Sequence, residues 1–323
     1  MNKTKTDYIQ YAHFIFKLNT KESLVLPVYK GSTFRGGFGY TFKRVVCAIK
    51  DKECLDCLLK EKCVYSYVFE TPPPSDTKIM RKYKAAPHPF VIEPPQEKRR
   101  GFKPGDEINF GLTLIGRAID YLPYFIYTFD ELGRIGIGKG KAKYELKDVS
   151  CDGKLIYDSE TKTLKTFRTS SLHLNIENVI ARSSDVNQND EAISISFLTP
   201  TRILYDNHLT RDLEFHIFMR NLLRRLSLLF YFHCNGDPSG WDFKRLIERA
   251  KDVKVKKRDL KWHEWQRYSG RQETRLKMGG FVGEIKFEGK IGHFMPLIKA
   301  GEILHIGKGT AFGLGKYEIT KDK

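Results

Sequence analysis

The sequence lacks any long apolar run. The longest, residues 122–129, is much too short to span a bilayer. The first seven residues are polar and contain no apolar core of a secretory signal. These two absences predict a cytoplasmic protein without a membrane anchor.

Acidic residues are scarce relative to basic ones. The chain has 39 aspartates and glutamates against 56 lysines and arginines, which gives a formal net charge of +17. Such an excess favours polyanions as partners, nucleic acid first and an anionic membrane surface second. With 323 residues, 41% of them hydrophobic, the chain is long enough for two folded domains.

Several catalytic motifs are also missing. The nine histidines form neither an HExxH motif nor a Ser/His/Asp spacing, and there is no paired-carboxylate signature. A glycine-rich stretch near the C-terminus lacks the GKS or GKT ending of a nucleotide-binding P-loop. A metal-dependent or triad hydrolase therefore finds no support.

That glycine-rich stretch, residues 305–318, is the most informative segment that is present. Glycine permits unusual backbone conformations and close approach of another molecule, and amides and lysines beside it can meet phosphate charge. We predict that it contacts an RNA backbone through Gly307, Lys308, Gly309, Gly313, Gly315 and Lys316. His305 abuts these glycines and is a candidate general acid or base.

A weaker copy of this segment occurs in the first half of the chain. Residues 137–142 align with residues 306–311, and both copies continue into Lys-Tyr-Glu, the second after four extra residues. We interpret this as a duplication that gave two like domains, residues 1–181 and 191–323, joined by a polar linker at 182–190. Each half reads as strand, helix, strands and closing strand. This order predicts an α+β fold of tandem ferredoxin-like (RRM-like) domains, a common RNA platform.

The first helix is predicted to be capped by Ser32 or Thr33, because Phe34, Phe38 and Phe42 follow at helical spacing. Three glycines in its first turns indicate either close packing or an approaching ligand. With basic residues nearby, the start of this helix suits a phosphate.

Four cysteines crowd into one short segment: Cys47, Cys54, Cys57 and Cys63. In a cytosolic chain such spacing indicates a metal rather than disulfides. Four thiolates form a closed structural zinc site, and an iron–sulfur cluster or unligated thiols are the alternatives. We expect no open coordination position for catalysis.

Basic residues alternate with aromatic ones between residues 254 and 277. Lysine and arginine can follow phosphates while bases stack on aromatic rings, and the alternative is a solvated strand pair with core tryptophans. The predicted RNA contacts are Lys257, Arg258, Arg267, Arg271 and Lys277.

Together these segments resemble the CRISPR-associated endoribonucleases of the RAMP superfamily that cut precursor CRISPR RNA within its repeats, in particular a cysteine-bearing branch. The glycine-rich loop is the shared hallmark. The other matching segments, in order, are residues 31–39, 63–70, 114–118, 197–200, 222–226, 268–272 and 279–283.

The resemblance implies attack of a 2′-hydroxyl on the scissile phosphate without a catalytic metal, giving a 2′,3′-cyclic phosphate and a 5′-hydroxyl. Relatives often place a histidine or tyrosine near the first helix, and here no histidine lies there. The resemblance therefore makes Tyr29, Lys30 and Arg35 the local candidates, with His305 and Lys308 from the loop. Of these, His305 or Tyr29 would transfer protons, and Lys30, Arg35 and Lys308 would meet the phosphate charge. CRISPR repeat RNA is the implied partner, with other effector subunits possible. The alternatives are a non-catalytic RAMP subunit that holds guide RNA, and a DNA-binding or zinc-stabilised structural protein.

Overall fold

The computed structural model describes residues 8–50, 52–174, 176, 191–269 and 274–321. The predicted linker at 182–190 and Arg271 lie outside these residues. The chain divides into two compact units. The N-terminal unit comprises Gln10–Ser171 with Phe232–Cys234, and the C-terminal unit consists mainly of Leu172–Tyr231 and Asn235–Lys323. The domain boundaries proposed from the sequence stay a prediction.

Two helices and nine strands are described in the first half of the chain. They are β1 (Tyr8–Thr20), β2 (Leu24–Val25), α1 (Gly31–Val46), β3 (Phe90–Glu93), β4 (Gly101–Phe102), β5 (Glu107–Ile115), α2 (Leu122–Ile135), β6 (Tyr144–Cys151), β7 (Lys154–Asp158), β8 (Thr163–Leu164) and β9 (Ser170–His173).

Three helices and eight strands are described in the second half. They are β10 (Glu191–Thr201), β11 (Ile203–Tyr205), β12 (His208–Thr210), α3 (Phe215–His233), α4 (Phe243–Ala250), β13 (Lys254–His263), β14 (Gln266–Ser269), β15 (Thr274–Lys277), β16 (Gly280–Gly289), α5 (Met295–Leu304) and β17 (Tyr317–Lys321).

The main sheets of the two units have the same strand order. The N-terminal sheet runs β3-β5-β1-β6 and continues into β7 and β8, and the C-terminal sheet runs β13-β16-β10-β17. In each sheet the first of the four core strands lies in the interior and pairs antiparallel with the third on one side and with the last on the other. With one helix after the first strand and another before the last, both units follow the βαββαβ plan. The predicted tandem ferredoxin-like fold is confirmed.

Aromatic side chains fill the N-terminal core. Phe34, Phe38 and Phe42 of α1 are completely buried, as the four-residue spacing predicts. Phe38 stacks on Phe125 of α2 with ring centroids 4.8 Å apart. The helix begins at Gly31, earlier than predicted, because the main-chain carbonyl of Lys30 accepts its first hydrogen bonds.

A buried tyrosine locks helix to strand in each unit. The Tyr144 hydroxyl donates to the carbonyl of Phe129 in α2, 15 residues earlier. Tyr317 donates to the carbonyl of Ile298 in α5, 19 residues earlier. The four additional residues equal the insertion seen in the second glycine-rich copy. This repeated contact agrees with the predicted duplication.

Candidate functional site

The glycine-rich loop between α5 and β17 is closed by its own main chain. The Ile306 amide donates to the carbonyl of Gly315 at 3.0 Å, and the Lys308 amide donates to that of Arg202, also at 3.0 Å. All four predicted glycines, Gly307, Gly309, Gly313 and Gly315, have φ between 76° and 81°. Left-handed backbone of this kind strongly favours glycine, so the loop shape depends on these residues.

One buried hydroxyl fixes the loop from outside. Thr199 Oγ1 donates to the carbonyl of Gly313 at 2.8 Å and accepts from the amide of Lys316 at 2.9 Å. Thr199 is 1% exposed. Analysis of the sequence missed Thr199 as a site residue. The only signal was its place in the family-like segment at residues 197–200.

His305 lies at the start of the loop and is completely buried. Its Nδ1 lies 3.1 Å from the carbonyl oxygen of Leu314, and its backbone adopts a left-handed φ of 60°. The structure thus places the ring inside the loop, away from solvent, where it holds two parts of the loop together. Its predicted role in proton transfer stays a prediction, and the burial does not favour it.

A buried arginine lies beneath the same loop. Nε of Arg225 donates to the carbonyl of Leu304, the last residue of α5, at 2.8 Å. Burial lowers the pKa of Arg225 to about 9. A guanidinium at a helix C-terminus is favourable because the helix dipole is negative there. Arg225 therefore stabilises the helix end from which the loop departs.

Cationic side chains accompany the outer part of the loop. Lys308 is exposed. The guanidinium of Arg267, in β14, lies 4.9 Å from the centre of the Phe312 ring, and burial lowers its pKa. Arg202 Nη1 donates to the carbonyl of Gly279 at 2.8 Å and approaches that of Lys277 at 3.4 Å. The loop thus lies against the β14–β15 strand pair, and we call these two segments, with Lys308, Arg202 and Arg267, the loop surface.

Two predicted RNA contacts lie elsewhere on the C-terminal sheet. Arg258 of β13 donates to the Glu214 carboxylate at 2.8 Å and lies 3.5 Å from that of Asp212. These carboxylates therefore partly neutralise the charge of Arg258. Lys257, beside it, is exposed.

In the N-terminal unit, Lys30 is fully buried at the start of α1. Its ammonium donates to the carbonyl of Glu97 at 2.6 Å. Burial lowers the pKa of Lys30, and the nearby Glu97 charge opposes this shift. Tyr29 is half-buried, and loss of hydration raises the pKa of its phenol strongly.

Arg35 is oriented by aromatic neighbours. Its guanidinium lies 4.0 Å from the centre of the Phe69 ring, and its Nη2 lies 3.3 Å from Nε2 of His88. Arginine can only donate, so His88 Nε2 must accept and Nδ1 must carry the proton. That proton is donated to Thr71 Oγ1 at 2.8 Å. Sequence reasoning missed His88, which lies 53 residues from Arg35 in the chain.

The glycines of α1 have separate explanations. A Cβ on Gly39 would lie 2.0 Å from the Phe69 ring, so this glycine makes room for the aromatic ring under Arg35. A Cβ on Gly37 would meet Leu132 of α2 at 3.0 Å, whereas one on Gly36 would meet nothing within 4 Å. Close packing therefore accounts for two of the three.

The cysteines are grouped at the end of α1 and in the following turns. Cys47 caps α1, Cys54 begins a short 3₁₀ turn, and Cys57 follows that turn. Burial raises the pKa of Cys54, and the charges of Cys47 and Cys63 contribute in the same direction. The thiols are thus neighbours of the type that soft metals prefer. Within the described residues, however, no three His, Cys, Asp or Glu side chains are close enough together to hold a metal ion.

Known families match both halves of the chain. Residues 195–317 match the model described as CRISPR-associated endoribonuclease Cas6, and residues 9–169 match a family described as an N-terminal domain, AF_1859_N. A protein of Archaeoglobus fulgidus described as uncharacterized is 25% identical over 298 residues, which cover 91% of this chain and 92% of that protein.

Solved structures show the same fold. The chain is similar to a component of a partial Cas6-RT-Cas1–Cas2 complex, with a TM-score of 0.58, 15% identity and 98% of this chain covered. It spans about half of that longer chain, 47%. A Cas6 product complex matches with a TM-score of 0.54 and 15% identity, over 96% of this chain and 100% of that one.

In the part of the chain that the structure describes, no helix is long and apolar enough to cross a bilayer. The C-terminal match contains the glycine-rich loop, Thr199 and Arg225, so the similarity to Cas6 includes the segment that carries the loop surface. This match supports processing or binding of CRISPR RNA. Residues 195–317 of the chain therefore resemble the Cas6 endoribonucleases.

Proposed function

We propose that this protein is an endoribonuclease that cleaves precursor CRISPR RNA within its repeats in the cytoplasm. The 2′-hydroxyl upstream of the cut attacks the phosphate without a metal, leaving a 2′,3′-cyclic phosphate and a 5′-hydroxyl. The loop surface is the observation that carries this proposal. Lys308 and the cations around it can hold RNA phosphates and stabilise the charge that develops during attack.

The loop offers main-chain donors as well as lysine. The amides of Ile306, Lys308, Phe312, Gly313 and Gly315 are used within the protein. Among the described residues, those of Gly309, Thr310 and Ala311 have no protein acceptor and lie together where the 3₁₀ turn Thr310–Phe312 begins. We therefore assign phosphate binding to Lys308 and these amides. Gly313, Gly315 and Lys316 shape the loop.

The N-terminal unit supplies further groups in this proposal. Arg35, held by His88 and Phe69, is oriented to bind a phosphate oxygen. The phenol of Tyr29 is protonated at neutral pH, and its raised pKa suits a hydrogen-bond donor, not a base or a general acid. Lys30 fixes the start of α1 through its bond to Glu97.

Cleavage of a labelled CRISPR repeat RNA in excess EDTA tests the reaction. We expect cleavage to persist in EDTA and to stop when one nucleotide, that upstream of the cut, is replaced by its 2′-deoxy form. Lys308→Ala should slow cleavage, while Lys139→Ala, at the matching exposed lysine of the first glycine-rich turn, serves as the control. Loss of cleavage in EDTA, or cleavage of every deoxy-substituted RNA, would contradict the proposal.

The second candidate is an RNA-holding subunit without cleavage. The burial of His305 and Lys30 favours it, because His305 is not exposed for proton transfer and Lys30 is not exposed to meet phosphate charge. Tight binding of repeat RNA with no product under any condition would establish this alternative. One structural neighbour is titled as part of a Cas6-RT-Cas1–Cas2 complex. We therefore also propose protein partners from the CRISPR machinery, which co-purification from the native host would test.

We further propose that Cys47, Cys54, Cys57 and Cys63 hold a structural zinc ion. Because these side chains are not grouped closely enough for a metal in the described residues, zinc binding would draw them together. Metal analysis of the purified protein should find one zinc per chain, reduced by Cys57→Ser but unaffected by Cys151→Ser. Iron together with visible absorbance would instead support an iron–sulfur cluster. Absence of both metals from protein prepared without chelators would contradict the proposal.

A further inference from the structure

A shallow depression opens on the C-terminal unit beside the loop surface. It has a volume of about 320 Å³ and is lined by Leu209, Arg211 and Trp262. Trp262 is 38% exposed although tryptophan is usually well covered. An exposed indole, an aliphatic side chain and a guanidinium form a combination that accepts a flat, polar aromatic group.

The indole is held in place rather than loose on the surface. Nε1 of Trp262 donates to the Glu264 carboxylate at 3.1 Å. This hydrogen bond, with one from the amide of Gly279, lowers the pKa of Glu264 and keeps it ionised at neutral pH. The acceptor therefore persists, and the ring is kept in one orientation.

The opposite wall is tied to the same strand. Leu209 and Arg211 precede a segment whose acidic residues bind Arg258, four residues before Trp262 in β13. Arg258 also approaches the carbonyl of Leu213 at 3.4 Å. The two walls are thus joined by one arginine, which gives Arg258 a positional role.

The depression is connected to the glycine-rich loop by a short chain of contacts. Glu264 accepts from Gly279, whose carbonyl accepts from Arg202, and the carbonyl of Arg202 accepts from Lys308. RNA lying on the loop surface is thereby brought beside Trp262. The phosphates would meet lysine and arginine, and one base could turn into the depression.

We propose that this depression is a binding pocket for one unpaired nucleobase of the RNA, which stacks on Trp262 beside Arg211. The inference rests on the proposed RNA-binding function but does not require cleavage. Stacking on one aromatic side chain contributes about 1–3 kcal/mol per base, which corresponds to roughly 5- to 150-fold in affinity.

Two fluorescein-labelled probes test the proposal with the full chain: a ten-nucleotide oligoadenylate RNA and the same ribose-phosphate chain without bases. Wild-type protein should bind the base-bearing probe more tightly. Trp262→Ala should remove this preference, with a loss of roughly 5- to 150-fold on that probe only. Trp262→Phe should retain most of it, and Trp241→Phe, which alters a tryptophan stacked on Phe230, should change neither probe.

Lys308→Ala should weaken both probes alike, which separates phosphate binding from base binding. The pocket proposal is overturned if folded Trp262→Ala keeps the wild-type preference for bases, even when repeat RNA is cleaved. Displacement of the oligoadenylate by an equal concentration of AMP would indicate a free-nucleotide site and would also overturn it. A base preference that depends on Trp262, without cleavage of repeat RNA, would support the pocket and contradict the proposed nuclease.

Discussion

The two glycine-rich turns of this chain begin alike and then diverge. Gly138 and Gly307 have φ of 79° and 80°, and a Cβ on either would press on a main-chain carbonyl, that of Val25 or of Arg202. The first turn then closes at once, because Ile137 and Ala142 exchange two hydrogen bonds. In the second turn the partner of Ile306 is Gly315, the last of the four extra residues, and the 3₁₀ turn Thr310–Phe312 lies between them. The two turns thus share the same opening, and the later closure of the second turn is what distinguishes it.

The largest expected effect is a difference in stability between alanine substitutions at glycines of the two turns. Gly315→Ala would place a Cβ 1.8 Å from the Ile306 carbonyl oxygen at a φ of 76°. We expect the free energy of unfolding to fall by at least ~2 kcal/mol. Gly140→Ala has nothing within 4 Å and should change it by less than about 0.5 kcal/mol. Urea unfolding measures both, and equal losses would remove the distinction.

Thr199 provides the next test, since its two loop hydrogen bonds belong to the longer turn. Thr199→Val would leave the Lys316 amide and the Gly313 carbonyl without their buried partner. A loss of about 1–3 kcal/mol in stability follows, with faster hydrogen exchange in the loop. Thr199→Ser keeps the hydroxyl and should retain most of the protection. Unchanged loop exchange in Thr199→Val would show that the main chain alone holds the loop.

The buried tyrosines Tyr144 and Tyr317 should contribute equally to the stability of their units. Tyr144→Phe and Tyr317→Phe each remove one buried hydroxyl that donates to a helix carbonyl. Each should cost about 1 kcal/mol of unfolding free energy, measured in urea. A marked inequality would mean that the locks are equivalent in position but not in energy.

The smallest expected effect concerns the two exposed lysines that occupy matching positions, Lys139 and Lys308. Lys308→Ala should weaken RNA binding a few-fold and reduce the slope of log affinity against log salt by about 1. Lys139→Ala should leave both quantities unchanged. Anisotropy titrations at several salt concentrations measure them. Equal effects would show that both turns bind RNA.

The sequence predicted the fold well because the signals were periodic and local. The aromatic spacing of α1 and the alternation of Ile193, Ile195 and Phe197 in β10 are set by the faces that must be buried, and these side chains are buried. The helix α5 was not predicted as a separate element. Its ten residues contain both a proline and a glycine and give a weak local signal.

The site was harder to predict because its contacts join residues distant in sequence. His305 looked reactive because glycines and a lysine follow it in the sequence. Its ring is buried beside Leu314, and this burial depends on the packing of the whole unit. Arg258 looked like an RNA contact, although acidic partners 44 and 46 residues away bind it. His88 gave no local signal, and Thr199 only its place in the segment 197–200, since each acquires its role from the fold.

The buried tyrosines also affect how much the length of the glycine-rich turn can change. The hydrogen bond of Tyr317 joins β17 to α5, so both ends of the loop between these elements are held in place whatever the loop length. Closing entropy grows only with the logarithm of loop length, so lengthening the closed ring from that of the first turn to that of the second costs well under about 1 kcal/mol. The turn can therefore vary in length while the fold beneath it remains intact.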